Sequence, residues 1–180
     1  MKKILTILFT CTSIFLSAQT CPTGDITFTT QQQIDDFPTD YPGCTNMPFS
    51  ITISGADITN LSGLNQLVSV GGNINIGYNP SLTSLSGLAA LTTVGGGFDI
   101  LANPMITSLS GLSALTSIGD YLTIYDNLFL ASLSGLNALT TVGGNLSIDS
   151  NASLASLSAL SALTTFGGNV RIYGNNSLVN

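Results

Sequence analysis

Three residue types are missing altogether: the chain of 180 residues holds no histidine, no tryptophan and no glutamate. Basic residues are nearly missing too, with Lys2, Lys3 and Arg171 as the full set. Without histidine a Ser–His–Asp relay cannot be built, and histidine-ligated metal sites are ruled out. The glycines have no lysine beside them, so they do not form a phosphate loop. Paired carboxylates serve glycoside hydrolysis, but Asp99, Asp126 and Asp149 occupy different columns or turns of the repeat described below. Asp35 and Asp36 fall in a short expected helix, facing water. The reading is of a chain with no catalytic residue, no cofactor and no metal.

The two lysines open a recognisable leader. They precede an apolar stretch from Ile4 to Leu16 and the small-residue exit Ser17-Ala18-Gln19, the three parts of a secretory signal peptide. That stretch is short for a bilayer span, so cleavage is expected, after Ala18 with Gln19 as the alternative, and no membrane insertion afterwards. Cys21 follows Ala18-Gln19-Thr20, which lacks the small residue that lipid attachment needs just before the cysteine. Loss of residues 1–18 leaves nine aspartates and one arginine, a net charge of −8. Such a surface repels nucleic acid and anionic headgroups, since phosphate binding needs clustered Lys and Arg. Cys11 leaves with the leader, and the remaining even pair, Cys21 and Cys44, reads as a disulfide in an exported chain. The protein is expected to be secreted or held at the cell surface.

What is present is periodic. From Asn73 the chain divides every 24 residues without insertion or deletion, with segments starting at Asn73, Gly97, Tyr121, Asn145 and Asn169. A less regular copy runs from Phe49 to Gly72, its first turn one residue shorter. Apolar residues fall in register, as in Ile76, Ile100, Ile124, Ile148 and Ile172, or Leu85, Leu109, Leu133 and Leu157. Each copy can bury these residues only against its neighbours, so the core runs along a stack. The period-two run before each turn predicts a strand, while leucines spaced by three imply bends and short extended pieces. Parallel strands would place copies about 4.8 Å apart. The pairs Gly71-Gly72, Gly95-Gly96, Gly143-Gly144 and Gly167-Gly168 precede each strand, where a positive φ is expected. Asp120 stands in one pair as a residue that tolerates the left-handed region. Asn79, Asn103, Asn127, Asn151 and Asn175 form a column expected to satisfy turn backbone groups by side-chain amide bonds.

Residues 19–48 differ in kind. Ile26 and Phe28 suggest a short strand, and Thr30 an N-cap for a brief helix over QQQIDDF that Pro38 breaks. This segment would cap the open end of the stack. The opening CPTGDITFTTQQQIDDF with Cys44 resembles the start of receptor L domains, and LNQLVSVGGNINIGYNPSLTSLSGL is similar to their repeat, closest to that of bacterial secreted proteins. The resemblance spans about residues 21–180. It implies an all-β, right-handed parallel β-solenoid related to leucine-rich repeats, with a short helical cap over repeats 49–180. It transfers no ligand.

Solenoid faces commonly serve recognition, so a non-enzymatic binding or adhesion module for an extracellular protein or glycan is the first expectation. A structural spacer in a longer cell-surface protein is the second. A periodic-surface binder, using Ser84-x-Ser86 and its copies against ice or crystalline polysaccharide, is the third. The outward columns that vary most between copies place Asp99, Tyr125, Asp149, Arg171 and Tyr173 on one exposed face as the candidate ligand surface. Asn180 falls halfway through a copy, so further repeats or a C-terminal domain are expected beyond it. Mass spectrometry of exported, non-reduced protein should find a Cys21–Cys44 bridge and no free thiol; two alkylatable thiols would defeat this reading.

Overall fold

A run such as Leu122-Thr123-Ile124-Tyr125 buries alternate side chains, which a strand does by pointing successive residues to opposite faces. The computed structural model describes residues 21–179, so the expected signal peptide lies outside the described residues. In chain order the first strands are β1 (Ile26–Phe28), β2 (Asn46–Met47), β3 (Ile51–Ile53), β4 (Ser69–Val70), β5 (Ile74–Gly77) and β6 (Thr93–Val94). They continue as β7 (Phe98–Leu101), β8 (Ser117–Ile118), β9 (Leu122–Tyr125), β10 (Thr141–Val142), β11 (Leu146–Asp149), β12 (Thr165–Phe166) and β13 (Val170–Tyr173). Odd-numbered strands form a seven-stranded parallel sheet and even-numbered strands a six-stranded one, each repeat adding one strand to each sheet.

The register advances by one repeat per strand, as in Ile76 against Ile100 and Ile100 against Ile124. The step from β3 to β5 is 23 residues, Ile53 against Ile76, matching the shorter first turn, and the cap strand β1 pairs with β3 at a step of 25, Ile26 against Ile51. Between the sheets lie the stacked Ile, Leu and Val columns, buried from Ile51 to Leu154. In the last described repeat the same columns reach Phe166 and Ile172, which are 50% and 41% exposed, since among the described residues no strand pairs with the outer edges of β12 and β13.

The leucines spaced by three form 3-10 turns at Ser62–Leu64, Ser86–Leu88, Ser110–Leu112 and Ser158–Leu160. Three residues per turn bring every third side chain to one side, which replaces the expected bends and extended pieces. The glycine inside each turn lies against a carbonyl of the repeat below: a Cβ on Gly87 would collide with Leu61, and one on Gly111 with Leu85. Ala159 is the exception in this column. The segment beneath it lacks the 3-10 turn, and Gly135 there adopts φ +112°, a distortion that accommodates the extra methyl group.

The helix α1 (Gln31–Asp40) closes the first end. Thr30 caps it reciprocally with Gln33, and Ile34 and Phe37 enter the core beside Phe28. Pro38 does not break it: the helix runs to Asp40 and Tyr41 still donates to the Phe37 carbonyl. A proline there removes only the amide that would bond Ile34, and Gly63 of the next repeat packs against that carbonyl instead. Gln31 ties the helix down by accepting from the amides of Thr59 and Asn60 at 2.8 and 3.1 Å. A disulfide joins Cys21 and Cys44 across the cap, with Cα atoms 4.9 Å apart. Among the described residues no helix is long and apolar enough to cross a membrane.

The asparagine column is fully buried from Asn79 to Asn151. Asn127 shows the pattern: its Oδ1 accepts from the Asn103 amide at 3.1 Å, and its Nδ2 donates to the carbonyls of Ile100 and Tyr125 at 2.9 and 3.1 Å. To turn each asparagine inward, the residue before it adopts positive φ: Tyr78 59°, Ala102 51°, Asp126 55°, Ser150 59° and Gly174 70°. Here, not at the glycine pairs, is the left-handed column. The pairs obey a different constraint, close stacking. A Cβ on Gly95, Gly119, Gly143 or Gly167 would strike the carbonyl of the glycine one repeat below. On Gly96 or Gly168 it would strike the Asn73 or Asn145 Oδ1, which accepts from the amide that follows. Asp120 is likewise not left-handed. It fits because the repeat that it ends starts with Gly97, which has no side chain to occupy the space.

Asn127→Ala would leave several buried backbone groups unpaired, each costing about 1–3 kcal/mol. Urea unfolding should show a loss of at least about 3 kcal/mol, against no more than about 0.5 kcal/mol for exposed Thr107→Ala. Equal losses would mean that the column contributes nothing special.

Candidate functional site

The outward residues of the seven-stranded sheet form two adjacent columns on one face. One runs Asn75, Asp99, Thr123, Ser147, Arg171; the other runs Gly77, Leu101, Tyr125, Asp149, Tyr173. Register places Asp149 directly between Tyr125 and Tyr173. The tyrosines are 46% and 68% exposed, while Asp149 between them faces outward as expected but is only 7% exposed, because its neighbours cover it. Its burial has a cause. Arg171 Nε lies 3.1 Å from Asp149 Oδ2, and the Ser147 hydroxyl donates to the same oxygen at 2.6 Å. The guanidinium carbon in turn stands 5.6 Å from the Tyr173 ring centre, a cation–π contact. Asp149, Arg171 and Tyr173 are thus one connected cluster, with Tyr125 at the adjacent register position.

Asp99 lies apart from it, two repeats below Ser147, and belongs to a second arrangement that sequence reading missed. Tyr121 lays its ring over Gly97, where a Cβ would collide with it, and donates its hydroxyl to Asp99 Oδ2 at 3.0 Å. Burial above all, then the bond to Asp99 and the charges of Asp99 and Asp120, hold the Tyr121 phenol above its ordinary pKa of 10.0. Between Tyr121 and Arg171 the face sinks into a cavity of about 300 Å³, lined by Thr123, Asn145, Ser147 and Asn169. The one sequence signal for it was the tyrosine standing where other repeats begin with Asn or Gly.

A further feature lies around the corner, at the left-handed turns. Tyr78, Pro80, Ala102, Pro104, Asp126 and Leu128 line an apolar groove of about 390 Å³. The same turn in the next repeat carries Ser150, Ala152 and Ser153. Sequence reading places a turn at the asparagine column but expects the positive φ at the glycine pairs, so it does not show how the side chains of this turn group together.

The serine array is engaged in its own turns. The Ser84, Ser132 and Ser156 hydroxyls accept from the amide two residues on, at 3.0–3.1 Å, and so brace the turns that follow. Ser108 instead donates to Ser110. The Asn79, Asn103, Asn127, Asn151 and Asn175 amides are likewise committed to backbone. Among the described residues no three of His, Cys, Asp or Glu are grouped to hold a metal ion. No family model and no curated protein matches the chain. What fold and face together define is a class: a disulfide-capped stack of 24-residue repeats that add strands to two parallel sheets.

Since its phenol is held neutral by the fold, Tyr121 adds stability that is complete below pH 10 and lost as pH rises through its raised value. Spectrophotometric titration should show this tyrosine ionising late. Asp99→Asn should bring its titration down; an unchanged curve would remove Asp99 as a cause.

Proposed function

We propose that the chain is a right-handed parallel β-solenoid of the receptor L-domain kind, exported by its leader, and that it acts as a non-enzymatic binding module. Its ligand is an extracellular protein or glycan, met by the outer face of the seven-stranded sheet. The observation that carries this reading is the Asp149–Arg171 pair set between Tyr125 and Tyr173. At the same columns the other repeats have Asn75, Asp99 and Thr123, and Gly77 and Leu101, with no ion pair among them, so the fold does not require a charged pair there. With the arginine side chain 67% exposed, the pair contributes at most about 1 kcal/mol. Its effect is to fix the guanidinium beside an exposed ring, and Tyr and Arg are the side chains that dominate binding hot spots.

The test is a screen of displayed peptides and arrayed glycans with the exported chain, repeated on Tyr125→Ala/Tyr173→Ala. Binding should fall at least about tenfold, the order lost when a hot-spot contact is removed, with thermal unfolding unchanged. Binding that survives the double substitution would place the site elsewhere. No ligand in either library would favour a spacer.

A further inference from the structure

We propose that the cavity between Tyr121 and Arg171 holds one ring of a neutral, extended oligosaccharide, whose neighbouring rings continue along the stack over the adjacent repeats. The proposal rests on the binding-module reading and narrows it to one ligand class and one site. Four observations lead to it.

The first is the lining. Thr123 offers a hydroxyl and Asn145 and Asn169 offer amide N–H groups, while the Ser147 hydroxyl, which donates to Asp149, and Asn145 Oδ1, which accepts from the Asn169 backbone amide, keep lone pairs to accept with, so the walls mix donors and acceptors. A pyranose ring presents the same mixture on every edge, whereas an apolar side chain would cover the Thr123 hydroxyl and the asparagine N–H groups without bonding them. The second is charge. Arg171 is the only cation among the described residues, and Asp149 already neutralises it. The cavity therefore offers no net attraction to an anion, and the eight other aspartates oppose a polyanion. The third is size and shape. About 300 Å³ is at the lower limit of small-molecule sites, and the cavity opens on a sheet face with Tyr125 and Tyr173 exposed nearby. The fourth is the repeat itself. Successive strands stand about 4.8 Å apart, nearly the advance of one pyranose unit in an extended β-linked chain. A glycan laid along the axis thus meets one repeat per ring. Tyr121 supplies the apolar wall, its ring held in place by the bond to Asp99. Tyr125 and Tyr173 supply further aromatic surface on which rings can stack.

The experiment titrates the exported chain calorimetrically with neutral β-1,4-linked glucose and N-acetylglucosamine oligomers, and with a polyuronate of equal length. Affinity should rise with chain length over the neutral series. Thr123→Val, which keeps the shape and removes a hydroxyl, and Arg171→Met should each weaken binding about tenfold, as the loss of a single hydrogen bond does. Thr123→Val should leave the melting temperature in place, and Arg171→Met should lower it by no more than about 4 °C, the shift that loss of the exposed ion pair allows. Neutral binding untouched by either substitution but lost in Tyr78→Ala/Leu128→Ser would overturn this site and leave the module reading standing. So would a displayed peptide whose binding needs Tyr125 and Tyr173, with no oligomer bound. Tighter binding of the polyuronate would overturn the neutral ligand. Silence from every oligomer and every peptide would overturn both proposals together.

Discussion

One inward-turned asparagine per repeat is the interaction on which the rest of the structure depends. Each side chain stitches its own turn to the repeat below through carbonyls that would otherwise be buried and unpaired. An unpaired buried carbonyl costs about as much as several surface contacts contribute. A turn this tight requires the preceding residue to take the left-handed conformation, which costs a non-glycine residue about 1–2 kcal/mol. Tyr78, Ala102, Asp126 and Ser150 all accept that cost. The first repeat, one residue shorter, drops this position, and Gly55 then sits where the others have asparagine and donates to Asn79.

Fixing the turns fixes the vertical spacing, and the spacing selects residues by what lies underneath. Glycine is needed wherever a carbonyl or an Asn Oδ1 of the lower repeat approaches the Cα. Where that obstruction is absent, as above Gly97, a side chain returns as Asp120. Where a methyl group is present regardless, as at Ala159, the lower repeat yields and Gly135 leaves the ordinary turn. The outward face is free of such demands, and there the repeats differ: Thr123, Ser147 and Arg171 share a column, as do Tyr125, Asp149 and Tyr173.

Much of this was legible in the sequence, because period carries it. The 24-residue register, the buried Ile and Leu columns, the capping Thr30, the asparagine ladder and the Cys21–Cys44 bridge all follow from spacing and residue type. The errors share one origin: contacts between repeats were read as local conformation. Gly95 and Gly96 suggested positive φ, yet what excludes a side chain there is a carbonyl 24 residues away. Pro38 suggested a helix end, yet the carbonyl it leaves free is covered by Gly63. Alternation correctly turns Asp149 outward, but its low exposure depends on Ser147 and Arg171 of the neighbouring column, which alternation alone does not reveal. The cavity beside Tyr121 joins three repeats, which no pattern within a single one reveals.

The stacking rule also bears on how such a chain can be rearranged. Asn73 obstructs Gly96, Gly97 leaves room for Asp120, and Asn145 obstructs Gly168. Each of these couples the first and last residue of the same 24-residue segment. A crossover just ahead of the strand therefore moves both halves of the compensation as one cassette, and segments that begin with asparagine are interchangeable in this respect. A crossover anywhere inside the segment separates them. The segment beginning with Tyr121 is less free: its ring occupies the space above Gly97, so it can follow only a segment that begins with glycine. Exchange of repeats is thus directional, and a feature carried on the Tyr121 ring travels with the segment beneath it.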